Sequence, residues 1–67
     1  MTIDNNKTQN PEAADRAYVA GLIQDLGMSH AAKKLGLSRL ATLNLASGGP
    51  TYSKSRLAVK AARKKAA

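Results

Sequence analysis

Residues 29–49, SHAAKKLGLSRLATLNLASGG, decide the fold because they contain two short helix-like pieces separated by a glycine. The first piece covers residues 29–35, starts at a serine suited to capping a helix, and carries small and aliphatic residues as far as Leu35. Gly36 ends it, since glycine accepts the left-handed backbone conformation that closes a helix without steric cost. This piece is too short to persist alone in water, so it must pack on neighbouring helices.

The second piece covers residues 38–47 and has clearer end signals. Ser38 is predicted to cap its start, and the sequence Gly48-Gly49-Pro50 ends it. Leu37 lies between the two pieces and is expected to fill the gap between them. The stretch therefore predicts a bent unit of two helices joined by a tight turn.

Two flanking helices are predicted to supply the packing surface. Asn10 and Pro11 mark the start of the first, as a cap and a first helical residue, and Gly27 ends it. The last opens at Thr51 or Ser53 and ends in the basic sequence ARKKAA. The spacing predicts inward faces at Val19, Leu22, Ile23 and Leu26, one turn after Asp15, and at Leu57, Ala58, Ala61 and Ala62.

Length and composition limit the architecture. The 67 residues allow one small domain, which we expect to be all-α, a compact bundle of about four short helices. Residues 1–10, with one aliphatic side chain, are predicted to be a flexible N-terminal arm; residues 11–65 form the domain, and residues 66–67 are the C-terminal end. The chain contains no cysteine, no apolar run near the ~20 residues that span a membrane, and no signal-peptide pattern, so we expect a cytoplasmic protein.

Charge is distributed unevenly along the chain. Residues 1–27 hold four acidic and two basic side chains, whereas residues 28–67 hold nine basic and no acidic ones, and the net charge is +7. A one-sided basic charge is typical of proteins that bind a polyanion, most often nucleic acid. The alternative is a merely solvated basic surface.

The bent unit resembles a known DNA-binding motif. Ala32, Gly36 four residues later, Leu37, Ser38, and Leu45 nine beyond the glycine are similar to the helix-turn-helix of DNA-binding proteins. The motif covers residues 28–47, and with its flanking helices the domain resembles small phage repressors of the Cro type.

The resemblance implies a sequence-specific, double-stranded DNA-binding transcriptional regulator, a repressor, whose third helix enters the major groove. It also implies a homodimer on a two-fold operator, associated with the nucleoid. One departure concerns Thr42, which takes the position of the family's large inward aliphatic residue, while Leu40 and Leu43 fall on the groove-facing side. Either the third helix is rotated or shifted by a residue, or this face contacts protein, such as a second copy.

The candidate site residues divide into two groups. Base-contact candidates are Ser38, Arg39, Leu40, Leu43 and Asn44, since arginine pairs with guanine, amides with adenine, and leucine packs on a thymine methyl. Phosphate-contact candidates are Ser29, His30, Lys33, Lys34, Tyr52, Lys54 and Arg56.

Each candidate also has a structural interpretation. Ser38 is equally a helix cap, the lysines are equally solvated side chains, and Tyr52 is better explained by core or loop packing. Tyr18 is interpreted as partly core. The sequence predicts that Lys60, Arg63, Lys64 and Lys65 add nonspecific attraction.

No catalytic constellation is recognisable. His30 has no carboxylate or second ligand nearby in the sequence, and the acidic residues form no pair suited to acid–base chemistry. We therefore expect no enzyme activity, no metal, no cofactor and no small-molecule substrate. Two functional alternatives remain: a nonspecific nucleic-acid-binding module, nucleoid-like or RNA-binding, and a protein-interaction adaptor that uses the Leu40/Leu43 patch. The chain contains only two aromatic residues, both tyrosines. This disfavours a protein that binds single-stranded nucleic acid by stacking bases on aromatic rings.

Overall fold

Four helices account for most of the structure, a computed structural model that describes residues 9–66. The helices are α1 (Ala13–Leu26), α2 (Met28–Leu35), α3 (Arg39–Ser47) and α4 (Ser53–Ala66). Within this range the only strand-like feature is a single antiparallel bridge between Gln9 and Thr51. The all-α prediction is confirmed. The predicted flexible arm falls largely on residues 1–8, which lie outside the described residues.

The turn between α2 and α3 follows the sequence prediction. Gly36 adopts a left-handed conformation with φ 71° and ψ 29°. The amide of Leu37 donates to the carbonyl of Ala32 at 3.0 Å, which closes the end of α2 in the way typical of glycine-terminated helices. The Ser38 hydroxyl accepts a hydrogen bond from the Ala41 amide at 3.1 Å, so the predicted cap of α3 is confirmed.

The other two predicted caps are wrong. α2 begins at Met28, with Gly27 at its cap position, so Ser29 lies inside the first turn. α1 begins at Ala13 after Glu12. The Asn10 side chain instead donates to the carbonyl of Gly48 at 2.6 Å, because a distant loop offers it an acceptor.

Each helix contributes one residue to the centre of the core. These residues are Val19, Leu35, Leu45 and Val59, all buried or nearly so. Several partly buried side chains surround them, and Tyr18 is one of these, as its spacing predicted. The buried Ala31 and Ala32 of α2 are small, which allows this short helix to lie close to its neighbours.

The inward face of α4 differs from the prediction. Leu57 and Ala61 are exposed, whereas Ser55 and Val59 are buried and Ala62 is half-buried. Ser55, Val59 and Ala62 follow an i, i+4, i+7 spacing. This spacing is difficult to recognise in the sequence because α4 carries alanines on several sides. On α1, Leu26 at the last turn is also largely exposed, so the predicted buried face stops short of the helix end.

A charged cluster connects the two ends of the domain. The Asp15 side chain on α1 is 0% exposed and accepts hydrogen bonds from Lys60, at 3.1 Å, and from Arg63 on α4. The Lys60 Nζ also lies 2.7 Å from Glu12 Oε1. The prediction that Lys60 and Arg63 serve as nonspecific attraction is therefore wrong, because these cations neutralise carboxylates of α1.

The pKa values in this cluster follow from its geometry. Burial alone raises the pKa of Asp15, but the hydrogen bonds and charges of Arg63 and Lys60 outweigh burial and hold the pKa below its ordinary value. The hydrogen bond to Glu12, followed by the one to Asp15, raises the pKa of Lys60 above its ordinary value. Both shifts favour the charged forms, so the cluster holds α1 against α4 as ion pairs.

Candidate nucleic-acid interface

The outward face of α3 carries two leucines. Thr42 and Leu45 are fully buried, so the opposite side of this helix, at 100° per residue, presents Leu40, Leu43 and Ser47. Leu40 is 67% exposed and Leu43 is 48% exposed. Of the alternatives that the sequence left open, a rotated or shifted helix is therefore excluded.

Thr42 fits its buried position because its hydroxyl has a partner. The Thr42 Oγ1 donates to the carbonyl of Ser38 at 2.8 Å, one turn earlier in the same helix. A buried hydroxyl with a hydrogen bond avoids the penalty of an unsatisfied polar group. Thr42 can therefore occupy the position at which the helix-turn-helix pattern has a larger aliphatic residue, and the orientation of α3 is unchanged.

Polar base-contact candidates border the leucines. Arg39 is exposed in the first turn of α3, and within residues 9–66 it makes no ion pair. Asn44 is half-buried, and the Ser38 Oγ already accepts the capping hydrogen bond. Because its hydroxyl proton stays available, Ser38 combines its cap function with a free donor at the surface.

A groove of about 180 Å³ separates α3 from the loop that precedes α4. Leu40 and Asn44 line one side, and Pro50 and Tyr52 line the other. Tyr52 is 57% exposed, which excludes core packing, whereas packing within the loop agrees with its position beside Pro50 and Thr51 at the groove. The buried Ser55 of α4 also lines this groove and was missed from the sequence because the α4 face was misassigned.

The loop beside the groove is held by the segment before α1. Gln9 and Thr51 exchange two backbone hydrogen bonds, of 2.9 and 2.8 Å. The Arg56 Nη1 donates to the carbonyl of Thr51 and, at 3.2 Å, to that of Gln9. Arg56 was predicted as a phosphate contact, and the structure instead engages one of its nitrogens in bracing this loop. The brace therefore holds Thr51, which also lines the groove.

The remaining phosphate-contact candidates are exposed and lie on two different helices. Ser29, His30, Lys33 and Lys34 lie on α2, and Lys54 lies in the first turn of α4. Lys34 borders a second hollow of about 330 Å³ with Tyr18, Ala62 and Lys65, and none of these residues lines the α3 groove. Among the candidate site residues, the groove is lined by Ser38, Leu40, Asn44 and Tyr52, whereas Lys34 does not line it.

Metal-ligating side chains are not clustered in the part of the chain that the structure describes. Across residues 9–66, no group of three or more histidine, cysteine, aspartate or glutamate residues is arranged to hold a metal ion. Likewise, none of the helices in this range is both long enough and apolar enough to cross a membrane. The features that remain to be explained are the outward face of α3 and the uncompensated cations.

Comparison with known proteins adds no relative to this description. No family model matches the sequence, and neither a curated protein nor a solved structure is significantly similar to the chain. The assignment of α2 and α3 as a DNA-binding motif therefore stays a prediction.

Proposed function

We propose that this protein is a sequence-specific double-stranded DNA-binding regulator of transcription, acting as a repressor, with α3 in the major groove. The observation that carries the proposal is the outward face of α3. Its first turn presents Arg39 and Leu40, and Leu43 follows about one turn later, all exposed. An α-helix fits the major groove, where side chains of this kind distinguish base pairs.

The electrostatics of the surface around α3 support a polyanionic partner. All three acidic residues within the described range, Glu12, Asp15 and Asp25, lie on or next to α1, and residues 28–65 contain none. With Lys60 and Arg63 neutralised, Lys33, Arg39 and Lys54 remain exposed and make no ion pair within residues 9–66. Such cations attract phosphates and orient the protein on the duplex without reading sequence.

The proposal includes a homodimer acting in the cytoplasm at the nucleoid. One α3 helix reads only a few base pairs, and a two-fold arrangement doubles the sequence that is read. We assign no catalytic role to His30 or any other residue, and no cofactor or small-molecule substrate.

Selection of binding sites tests the proposal. The full-length protein is incubated with fragments of its source organism's DNA, including the region upstream of its own gene, with competitor DNA and at two salt concentrations. We expect recovery of one repeated, two-fold symmetric site that survives the higher salt. Recovery of unrelated fragments, with a steep loss of binding at higher salt, would instead indicate a nonspecific module in which charge supplies the affinity.

Three variants of the protein test the position of α3. Arg39→Ala removes a base contact, and we expect a loss of about 1–3 kcal/mol in binding to the selected site. Arg39→Lys keeps the charge but loses the two parallel N–H donors of the guanidinium group. This variant should therefore retain nonspecific DNA binding and lose the preference for the selected site. Lys65→Ala removes one charge away from α3 and should weaken binding to all duplexes equally. Unchanged affinity and preference in Arg39→Ala would refute the assignment of α3.

One observation favours a second candidate function. The exposed Leu40 faces the groove bordered by Tyr52, and an apolar groove of this kind suits a protein partner. As a protein-interaction adaptor, the chain would bind no duplex at low salt and would associate stably with a protein bait. That pair of results would replace the first proposal.

A further inference from the structure

We propose that Leu40 and Leu43 read thymine, so that the target class is a DNA duplex with thymine methyl groups on neighbouring base pairs opposite α3. This inference rests on the proposed function and makes it more specific. It follows from the placement, chemistry and surroundings of the two side chains.

The placement of the leucines puts them on the outward surface of α3, in its first half. They are three residues apart on the face opposite the buried Thr42 and Leu45. Three residues of α-helix advance about 4.5 Å along the axis, little more than the 3.4 Å between successive base pairs. A helix lying in the groove therefore brings the two leucines to neighbouring base pairs.

The chemistry of a leucine selects among the four bases. The thymine C5-methyl is the apolar group on the major-groove edge, whereas guanine, adenine and cytosine present hydrogen-bonding atoms there. A leucine pressed against those atoms removes water from them and offers no replacement bond, which is unfavourable. Against a thymine methyl, the same side chain gains apolar contact.

The surroundings of the leucines favour DNA over a protein partner. Arg39 is in the same helix, Asn44 borders the patch, and residues 28–65 carry no acidic side chain. Two leucines also supply far less area than the roughly 800 Å² per partner of a stable protein interface. Arg39 beside a small apolar patch, in a half of the chain without acidic side chains, is complementary to phosphates that flank methyl groups.

Replacement of thymine by deoxyuridine isolates the methyl group, because the hydrogen-bonding edges are unchanged. The duplex is the site recovered by selection, made with thymine or with deoxyuridine at the positions opposite α3. For the wild-type protein, we expect about fourfold weaker binding for each methyl removed, the effect of losing contact with one methyl-sized group. Dissociation constants are measured at one fixed salt concentration.

A double-mutant cycle connects the methyl groups to the leucines. Leu40→Ala and Leu43→Ala should each weaken binding to the thymine duplex and abolish the difference between thymine and deoxyuridine at one of the two positions. The double variant should abolish the difference at both positions. Leu57→Ala is the matched control, since Leu57 is 64% exposed on α4 and undergoes the same chemical change. This control should keep the wild-type difference. Far-UV circular dichroism and melting of each variant establish that the fold is retained.

Several results would overturn the inference. Equal binding of wild-type protein to the thymine and deoxyuridine duplexes would refute methyl reading while leaving sequence-specific DNA binding intact. Equal sensitivity of the wild type and the double variant to methyl removal would assign the effect to DNA shape instead of the leucines. If the double variant bound the thymine duplex like wild type but lost self-association in sedimentation, the patch would be a protein contact. Failure to select any duplex would refute the proposed function itself.

Discussion

Replacing Asp15 by asparagine tests the ion-pair cluster that joins α1 to α4. The Asp15 side chain is fully buried, and it accepts hydrogen bonds from Lys60 and Arg63. Asparagine preserves the size of the side chain and removes its charge, so the change isolates the electrostatic contribution. We expect a large loss of stability with little change in helix content.

The magnitude of the loss follows from the exposure of the partners. A hydrogen bond to a charged group contributes about 1.5–3 kcal/mol, and breaking a buried ion pair costs about 3–5 kcal/mol when a charge is left buried. Here the side chains of Lys60 and Arg63 are 43% and 37% exposed, so both cations can turn to water once Asp15 is neutral. We therefore expect a loss of about 2–3 kcal/mol from a domain whose total stability is about 3–10 kcal/mol.

Thermal and urea unfolding, followed by far-UV circular dichroism at neutral pH, measure this loss. For a domain of this size, the expected decrease in Tm is about 10–20 °C. Asp25→Asn is the matched control, because Asp25 is exposed on the same helix and makes no ion pair within residues 9–66. If the two variants melted together, the cluster would contribute nothing to stability and the reasoning would be refuted.

Acidification gives an independent check on the same cluster. The pKa of Asp15 is lower in the folded protein than in the unfolded chain, where it is about 3.9. Its contribution to stability is therefore present above that value and is lost as the pH falls through the lower, folded pKa. Below about pH 4, the wild-type protein should lose stability faster than Asp15→Asn, and the gap between them should close. A gap independent of pH would contradict a charge-based contribution.

Two further pairs of variants test the core and the turns. Leu45→Ala should cost about 2–5 kcal/mol because Leu45 is fully buried, whereas Leu40→Ala on the opposite face should change stability by about 0.5 kcal/mol or less. Equal urea midpoints would contradict the orientation of α3. Gly36→Ala should lower the free energy of unfolding by about 1–2 kcal/mol. This cost comes from backbone strain at φ 71° alone, because no atom lies within 4 Å of the added methyl to clash with it. Gly48→Ala, at φ 82°, should cost about the same, because the Arg16 Nη1 that would lie 3.0 Å from the new Cβ is the end of an exposed, flexible side chain that can move aside; a much larger decrease in Tm than for Gly36→Ala would contradict this reasoning.

Local signals predicted the middle of the domain well. The glycine at position 36 and the serine at position 38 specified the turn and the cap of α3, since both effects involve residues only a few positions apart. The resemblance to a helix-turn-helix also predicted Leu40 and Leu43 on the outward side of α3, but a rotated or shifted helix stayed open. The burial of Thr42 and Leu45 decided between these orientations.

The prediction of buried faces failed on α4, where the local sequence is compatible with more than one buried face. α4 contains small apolar residues on more than one side, and its period does not distinguish a face containing Leu57 from one containing Val59. Packing against three other helices selected the second. The same error concealed Ser55. For Tyr52, the local sequence left core packing and loop packing open, because its neighbours across the groove come from α3.

The sequence by itself determined the helical class and the turn between α2 and α3, because these depend on backbone preferences over a few residues. The orientation of α3 was decided by tertiary packing, which buries Thr42 and Leu45. Only the tertiary structure decided the pairing of charges, since Asp15 meets Lys60 and Arg63 across 45 and 48 residues of chain. The basic half of the sequence therefore overstates the free positive charge of the folded surface. Electrostatic attraction acts through space, and the folded chain brings its acidic first helix against its basic last one.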